Sequence, residues 1–514
     1  MVNPPEPLPD LDWSPERARA LGDAALDMYE EWLRRLPDLP VDRGRNAAEV
    51  SEAVHLDVPP EGMNDEELLD YLRKLVFDYS MYPGHPGFLA YIVGGGTVPG
   101  AIADLVAAGI NQNVGGWRLS PGATEIELHL VRFFADRFGL PDEAGGMLVS
   151  GGSIANFVGL KAARDAKGGA DVRATGLTGG PQLVAYTSAE VHFATTRAAD
   201  MIGIGTDHVR LIGVDDHYRM DVAELESRIA EDLDAGLRPF CIVASLGTVA
   251  TGAIDPLEPI ADICARHGLW MHVDAAYGGP IVLAEDLRPL AAGVERADSI
   301  AFDPHKWLYT PQSGGCILVR DVGHLADSFS YHAGYVYENK ELTGRGIDLS
   351  LLGPQLSRSF WALKVWVSLL AHGAKRMAGA SRTTSSSRVT SPNASRPASA
   401  SRSQLPSGLD LLFPLRAAGP RRRWQGGVPR PSQRAHHGRG PDGRTRLLLE
   451  RDPRGTFRAA NLHRQLSNRG QTPRSGSGGH RGTGGQARRR AAPRPPGLGL
   501  GEPEPCRDAL CATT

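Results

Sequence analysis

From about residue 147 to 319 the chain alternates short apolar, β-branched runs with segments of helical period, and this alternation restricts the fold more than any other feature. Runs at 182–187, 209–214, 240–246, 269–274, 298–302 and 315–319 have strand length. Between them, 192–202, 221–235 and 256–267 place apolar residues at helical spacing. Strands joined by helical crossovers build a mostly parallel sheet covered on both faces, and such sheets bind ligands at the C-terminal strand ends. The expected class is therefore α/β. Upstream, helices are expected at 14–36, opened by Ser14-Pro15-Glu16, and at 65–78, 99–109 and 121–138. A Gly/Pro-rich loop spans Gly84 to Gly100, and a last helix is expected over about 354–372.

Past about Ala380 this patterning ends. Residues 381–514 hold 25 arginines, no lysine and 7 acidic residues, a net of +18, which leaves 1–380 at −21 within a whole-chain charge of −3. Ser381 to Ser403 mixes Ser, Arg, Thr and Pro, and arginine triplets follow at 421–423 and 488–490. Such a composition cannot bury enough apolar surface to fold alone. Its positive charge could attract polyanions, but with only Phe413, Trp424 and Phe457 as aromatics it has no base-stacking module, so a nucleic-acid partner is not expected. No run of about 20 apolar residues marks a membrane span, and Met1 to Asp12 lacks the basic and apolar parts of a secretory signal. The five cysteines show neither metal nor disulfide spacing; Cys241, Cys264 and Cys316 read as reduced core residues. A cytoplasmic location and no bound metal are expected.

Chemistry concentrates at the expected strand ends. Ser150-Gly151-Gly152-Ser153 follows Met147-Leu148-Val149 and opens a helix, where free N–H groups and the helix dipole suit a phosphate; alone, it could equally be an ordinary glycine turn. His192 begins a helix after a strand, so it could stack flat on a ring or merely cap the helix. Thr248 ends another run, where a plain turn is the simpler explanation. Asp274, in His272-Val273-Asp274-Ala275-Ala276, ends a strongly apolar run, where a carboxylate needs a cationic partner. Ala276 is small enough for a ring to lie beside it. Lys306 lies in Asp303-Pro304-His305-Lys306-Trp307, where burial would favour the neutral amine that attacks an aldehyde. A phosphate turn, a flat histidine, an acid and a lysine in this order are what pyridoxal 5'-phosphate (PLP) requires.

These segments resemble the group II PLP-dependent amino-acid decarboxylases, the family of aromatic-L-amino-acid, glutamate and histidine decarboxylases. The resemblance rests on HPGFLAY at 85–91, SPGATEIE at 120–127, SGGSIAN at 150–156, the His192 segment, HVDAAYGG at 272–279, DPHKW at 303–307 and RSFWALKVW at 358–366, and covers roughly residues 15–378. It implies a fold-type-I PLP-dependent transferase-like architecture. The expected parts are an N-terminal helical segment over 1–80, exchanged between subunits in the family, and a PLP-binding large domain over 81–376. A low-complexity tail over 377–514, disordered or frame-shifted, stands in place of the family's small domain. Lys306 is implied to carry the cofactor as an imine, Asp274 to pair with the pyridine nitrogen, and His192 to stack on the ring with Ala276 opposite. Gly152, Ser153 and His305 are implied at the phosphate, and Thr248 near the cofactor. Tyr335 is implied to return a proton to Cα from a loop, and Arg358 to lie near the active site. Phe88, Tyr91, Ile92 and Trp117 lie in segments that line the family's substrate pocket.

The implied activity is decarboxylation of an L-amino acid, with an aromatic side chain favoured over glutamate, by a homodimer. Aldehyde-forming decarboxylation with deamination and glutamate decarboxylation are alternatives on the same scaffold. An inactive product or basic-tailed binding protein is the non-enzyme alternative.

Overall fold

Seven strands form one sheet in the computed structural model, which describes residues 13–88, 90–169, 172–331 and 346–377, together with 450–451 and 457–458. They are β1 (Gly145–Val149), β2 (Leu183–Ser188), β3 (Val209–Ile212), β4 (Arg238–Ser245), β5 (Trp270–Asp274), β6 (Ser299–Phe302) and β7 (Gly315–Val319). Their order is β1-β7-β6-β5-β4-β2-β3. Strand β7 runs antiparallel to both β1 and β6, and every other neighbouring pair is parallel. Strands β2, β5, β6 and β7 are buried along their whole length. This is why they read as continuous apolar runs rather than as alternating ones.

The helices are α1 (Pro15–Arg35), α2 (Ala47–Val54), α3 (Asp65–Asp78), α4 (Val98–Ile110), α5 (Pro121–Phe138), α6 (Gly152–Lys167), α7 (Val172–Thr175), α8 (Phe193–Met201), α9 (Val222–Asp234), α10 (Leu257–His267), α11 (Pro304–Trp307), α12 (Gly323–Phe329) and α13 (Trp361–His372). Local chemistry sets their ends. Ser14 accepts from the Arg17 N–H ahead of Pro15 in α1, and Asn64 and Glu67 form a reciprocal capping box on α3. Gly139 and Gly268 end α5 and α10 in the left-handed conformation that only glycine adopts without cost. Helix α2 escaped the sequence reading, although Asn46 and Glu49 form a capping box of the same kind.

The last helix begins at Trp361 rather than near 354. The backbone before it is already committed: the Arg358 N–H donates to Asn113 Oδ1, and the Val114 N–H donates to the Arg358 carbonyl. Those groups hold strands of chain together and are not free to close helical turns.

One hydrophobic core runs through the sheet, with Phe134, Tyr186, Phe240, Trp270 and Phe302 among its largest members. The Phe134 and Phe302 rings meet edge to face at 4.8 Å. Removing either ring would cost about 3–5 kcal/mol. A smaller cluster of Leu39, Phe77 and Tyr82 lies with Trp32 of α1 and Val76 of α3. Cys241, Cys264 and Cys316 are free and buried, whereas Cys506 and Cys511 lie outside the described residues. Among the described residues no helix is long and apolar enough to cross a membrane. The chain divides into two compact units, and in the second, 446–514, Glu450–Arg451 pairs antiparallel with Phe457–Arg458. The remainder of the 377–514 tail, apart from Met377, lies outside the described residues.

Candidate active site

The C-terminal ends of β4, β5 and β6 and the first turn of α6 enclose a cavity of about 370 Å³. Its position follows from the parallel order of these strands, which brings their ends together. The volume suits a cofactor-sized ligand.

Ser150, Gly151, Gly152 and Ser153 form one wall. They open a helix of 16 residues, so its unpaired N–H groups and positive dipole end lie at the cavity and suit an anion. Gly152 cannot carry a side chain here, because a Cβ would lie 2.6 Å from Asp303 Oδ2.

Asp274 closes β5 and is buried at the cavity, where its Oδ1 accepts from the Ala276 N–H at 3.1 Å. The remaining lone pairs of this carboxylate are available to a ligand donor. Ala276 and Tyr277 line the same side. His192 is both a wall of the cavity and the cap of α8: its Nδ1 accepts from the Ala194 N–H at 3.2 Å. When neutral it must therefore carry its proton on Nε2. Burial pushes the His192 pKa below the ordinary histidine value; Asp274 opposes this, while Lys306 adds to it. Thr248 also lines the cavity, but its hydroxyl is shared with Thr251 at 2.7 Å and accepts from Ala253 N–H, so it braces its own turn.

Lys306 sits on α11, immediately after β6, with its Nζ 3.0 Å from Asp303 Oδ2. His305 donates from Nδ1 to the Gly314 carbonyl at 2.6 Å, and its Nε2 is 3.9 Å from Asp303. Burial raises the Asp303 carboxyl pKa, against the pull of the Lys306 and His305 charges. Asp303 Oδ1 is buried without a hydrogen-bond partner. Asp303 lies within DPHKW and has no role among the sequence-based expectations. The signal was available, since it is an acid ending an apolar run, as Asp274 is. The glycines at 94–96 find a partial explanation here: a Cβ on Gly94 would lie 2.9 Å from the Lys306 carbonyl, so the loop approaches as only glycine permits.

Five residues implied near the substrate do not line this cavity. Arg358 is buried away from the cavity, paired with Glu127 and donating to the carbonyls of Val114 and Leu148. A guanidinium taken from water needs this full set of acceptors, which fixes it as a strut between α5 and β1. Trp117 commits its indole N–H to Glu125 at 2.7 Å. Phe88 and Tyr91 contact one another at 6.4 Å, and Tyr91 is 77% exposed. None of these three lines the cavity, and neither does Ile92. Tyr335 lies outside the described residues.

The residues present fit PLP. One cavity holds a helix N-terminus for a phosphate, a buried carboxylate with spare acceptors for a ring N–H, a flat imidazole, and a primary amine. The partnerless Asp303 Oδ1 beside that amine is the kind of buried polar atom a ligand completes.

Comparison with known proteins identifies the family. Residues 49–386 match the family model described as the pyridoxal-dependent decarboxylase conserved domain. The chain is 35% identical to the aromatic-L-amino-acid decarboxylase of Bacillus atrophaeus, across 71% of this chain and 74% of that protein. It is 31% identical to the cysteine sulfinic acid decarboxylase of Rattus norvegicus, across 72% and 75% of the two chains. The crystal structure of Oryza sativa TDC with PLP and tryptamine superposes with a TM-score of 0.68 at 27% identity, covering 73% of this chain and 78% of that one.

Proposed function

The chain belongs to the pyridoxal-dependent decarboxylase family, and from that premise we propose that it converts an aromatic L-amino acid to its amine and CO2. It is a PLP-dependent enzyme of the amino-acid decarboxylase class with the fold-type-I architecture. What favours an aromatic substrate is the higher identity, 35%, to the aromatic-L-amino-acid decarboxylase of Bacillus atrophaeus, against 31% to the cysteine sulfinic acid decarboxylase of Rattus norvegicus.

PLP, when bound, supplies an electron sink for the pair left on Cα as CO2 departs. The chain's residues do the rest. Lys306 would hold the cofactor through its amine. Asp274 holds a proton on the ring nitrogen by accepting it in a buried hydrogen bond. The first turn of α6, with Ser153 and His305, holds the phosphate and so sets the ring's register in the cavity. His192 and Ala276, both in the cavity wall, would confine the ring, with Thr248 bracing the turn nearby. Burial of this wall excludes water and strengthens each of these interactions. Return of a proton to Cα is assigned to Tyr335, with His192 Nε2–H as the alternative donor.

A homodimer is part of the proposal. Helix α4 exposes Val98, Ile102, Leu105, Val106 and Ile110, an apolar face that a second subunit would cover.

Purified protein mixed with PLP should develop a visible absorption band that Lys306→Ala abolishes. Assay of CO2 release across Tyr, Trp, Phe, Dopa, Glu, His and cysteine sulfinate should show turnover of an aromatic substrate. Release from Glu or cysteine sulfinate alone would overturn the substrate assignment.

A further inference from the structure

Beneath the cavity, β5 turns Trp270, His272 and Asp274 toward one face of the sheet, as residues two apart must. His272 is wholly buried. Its Nδ1 lies 2.7 Å from the hydroxyl of Ser299, its register partner on β6, and its Nε2 lies 2.8 Å from Asn156 Oδ1 on α6. Trp270 Nε1 donates to the same Ser299 hydroxyl at 2.8 Å, and Asn156 Nδ2 donates to the Gly152 carbonyl at 2.9 Å. Helix α6 makes room for the ring with a glycine, since a Cβ on Gly159 would lie 2.6 Å from His272 Cε1.

The direction of every proton in this chain is determined. An indole N–H can only donate, so Ser299 Oγ accepts from Trp270. The Asn156 amide gives its N–H to Gly152, so its oxygen must accept from His272 Nε2–H. Burial lowers the His272 pKa to about 4, which keeps the ring neutral and leaves Nδ1 to accept the Ser299 proton. All donors thus point toward the Gly152 carbonyl.

We propose that this buried relay makes His272 and Asn156 positioning residues for the cofactor, tying the strand that ends in Asp274 to the turn that holds the phosphate. The peptide joining Gly152 to Ser153 carries the effect. A hydrogen bond accepted at its carbonyl polarises the amide and orients the Ser153 N–H into the cavity, where it becomes a stronger donor to an anion. The two ends of the cofactor, ring nitrogen and phosphate, are then held at one spacing by a single network. The inference rests on the PLP assignment above and goes beyond it by naming His272, which does not line the cavity, and Asn156, which lines it but spends both ends of its amide on the relay.

The test is a cycle of Asn156→Leu, His272→Leu and the double variant in the full chain, stripped of cofactor and titrated with PLP. The readouts are the visible band, the phosphorus NMR resonance of the bound phosphate, and the thermal unfolding of the cofactor-free protein. Each single variant should raise the PLP Kd about tenfold or more and shift the phosphorus resonance. The double variant should lose no more than either single one, because both break the same relay. Losses that multiply, or an unchanged Kd with only a lower unfolding temperature, would overturn the proposal. Should the leucine variants fail to fold, Ser299→Ala serves instead: a rise in Kd of about threefold supports the relay and no change overturns it. Failure of the unmodified chain to take up PLP would overturn the cofactor assignment itself, and the relay with it.

Discussion

Lys306 Nζ lies 3.0 Å from Asp303 Oδ2, and the other oxygen of that carboxylate is buried without a partner. The amine expected to capture the cofactor is thus held by an acid three residues before it, at the end of β6. Lys306→Ala in cofactor-free protein leaves Asp303 buried with no cation at hydrogen-bond distance. The expected cost is about 2 kcal/mol, below the usual range for a broken buried pair because Lys306 is 18% exposed. Adding Asp303→Ala should restore part of the loss. Urea unfolding of the three proteins checks this, and a double variant no more stable than Lys306→Ala would sink the pairing argument.

Arg358 and Glu127 form a pair shielded from solvent, and burial raises the Glu127 carboxyl pKa against the opposing charge of Arg358. Arg358→Ala is expected to destabilise the protein by about 3–5 kcal/mol, with most of the effect seen as lost folded protein. Arg358→Lys should recover little, since one ammonium cannot replace a planar fork serving Glu127, Val114 and Leu148. Denaturant midpoints and KM are the measurements. A tenfold rise in KM at unchanged stability would return Arg358 to the substrate.

Gly152→Ala places a methyl group 2.6 Å from Asp303 Oδ2 and 3.0 Å from Oδ1. Asp303 is buried and ion-paired, so it cannot move aside cheaply. PLP retention should fall about tenfold or more, read as the cofactor-to-protein ratio after gel filtration. Retention equal to that of the unmodified protein would show that the turn has slack that the packing does not suggest.

His272 predicts a specific pH window. Its pKa is depressed from 6.5 to about 4, so the folded state refuses a proton that the unfolded chain accepts. The associated stability is complete above pH 6.5 and is lost as pH falls toward about 4. The loss amounts to roughly 3 kcal/mol. His272→Leu should be less stable at neutral pH but should lack this part of the acid dependence. Urea midpoints from pH 7.5 downward check it; an equal acid slope in both proteins would refute the assignment.

Much of the fold could be read locally. Residues 65–78 and 121–138 are helical as expected, because caps, periodicity and terminal glycines act within a few residues. The six runs of strand length are strands; in β2, β5, β6 and β7 burial along the whole length demands continuous apolar stretches, whereas the edge strand β3 leaves Leu211 exposed. Helix α2 was missed for want of a long apolar stripe, despite its capping box. The late start of α13 could not be seen, because it depends on Asn113 and Val114, far away in sequence.

The site divides in the same way. Sequence by itself determined which groups stand at the strand ends: the Gly152 turn, His192, Asp274 and Lys306, each marked by its place after an apolar run. Only the tertiary structure decided that Arg358 braces Glu127, that Trp117 and Tyr91 stay out of this cavity, and that Asn156 meets His272 beneath it. The physical reason is separation along the chain. Asn156 and His272 are 116 residues apart, and Arg358 and Glu127 are 231 apart. No local period or propensity records such a partner; it exists once the sheet has set β1, β5 and β6 in order and α6 has docked across them.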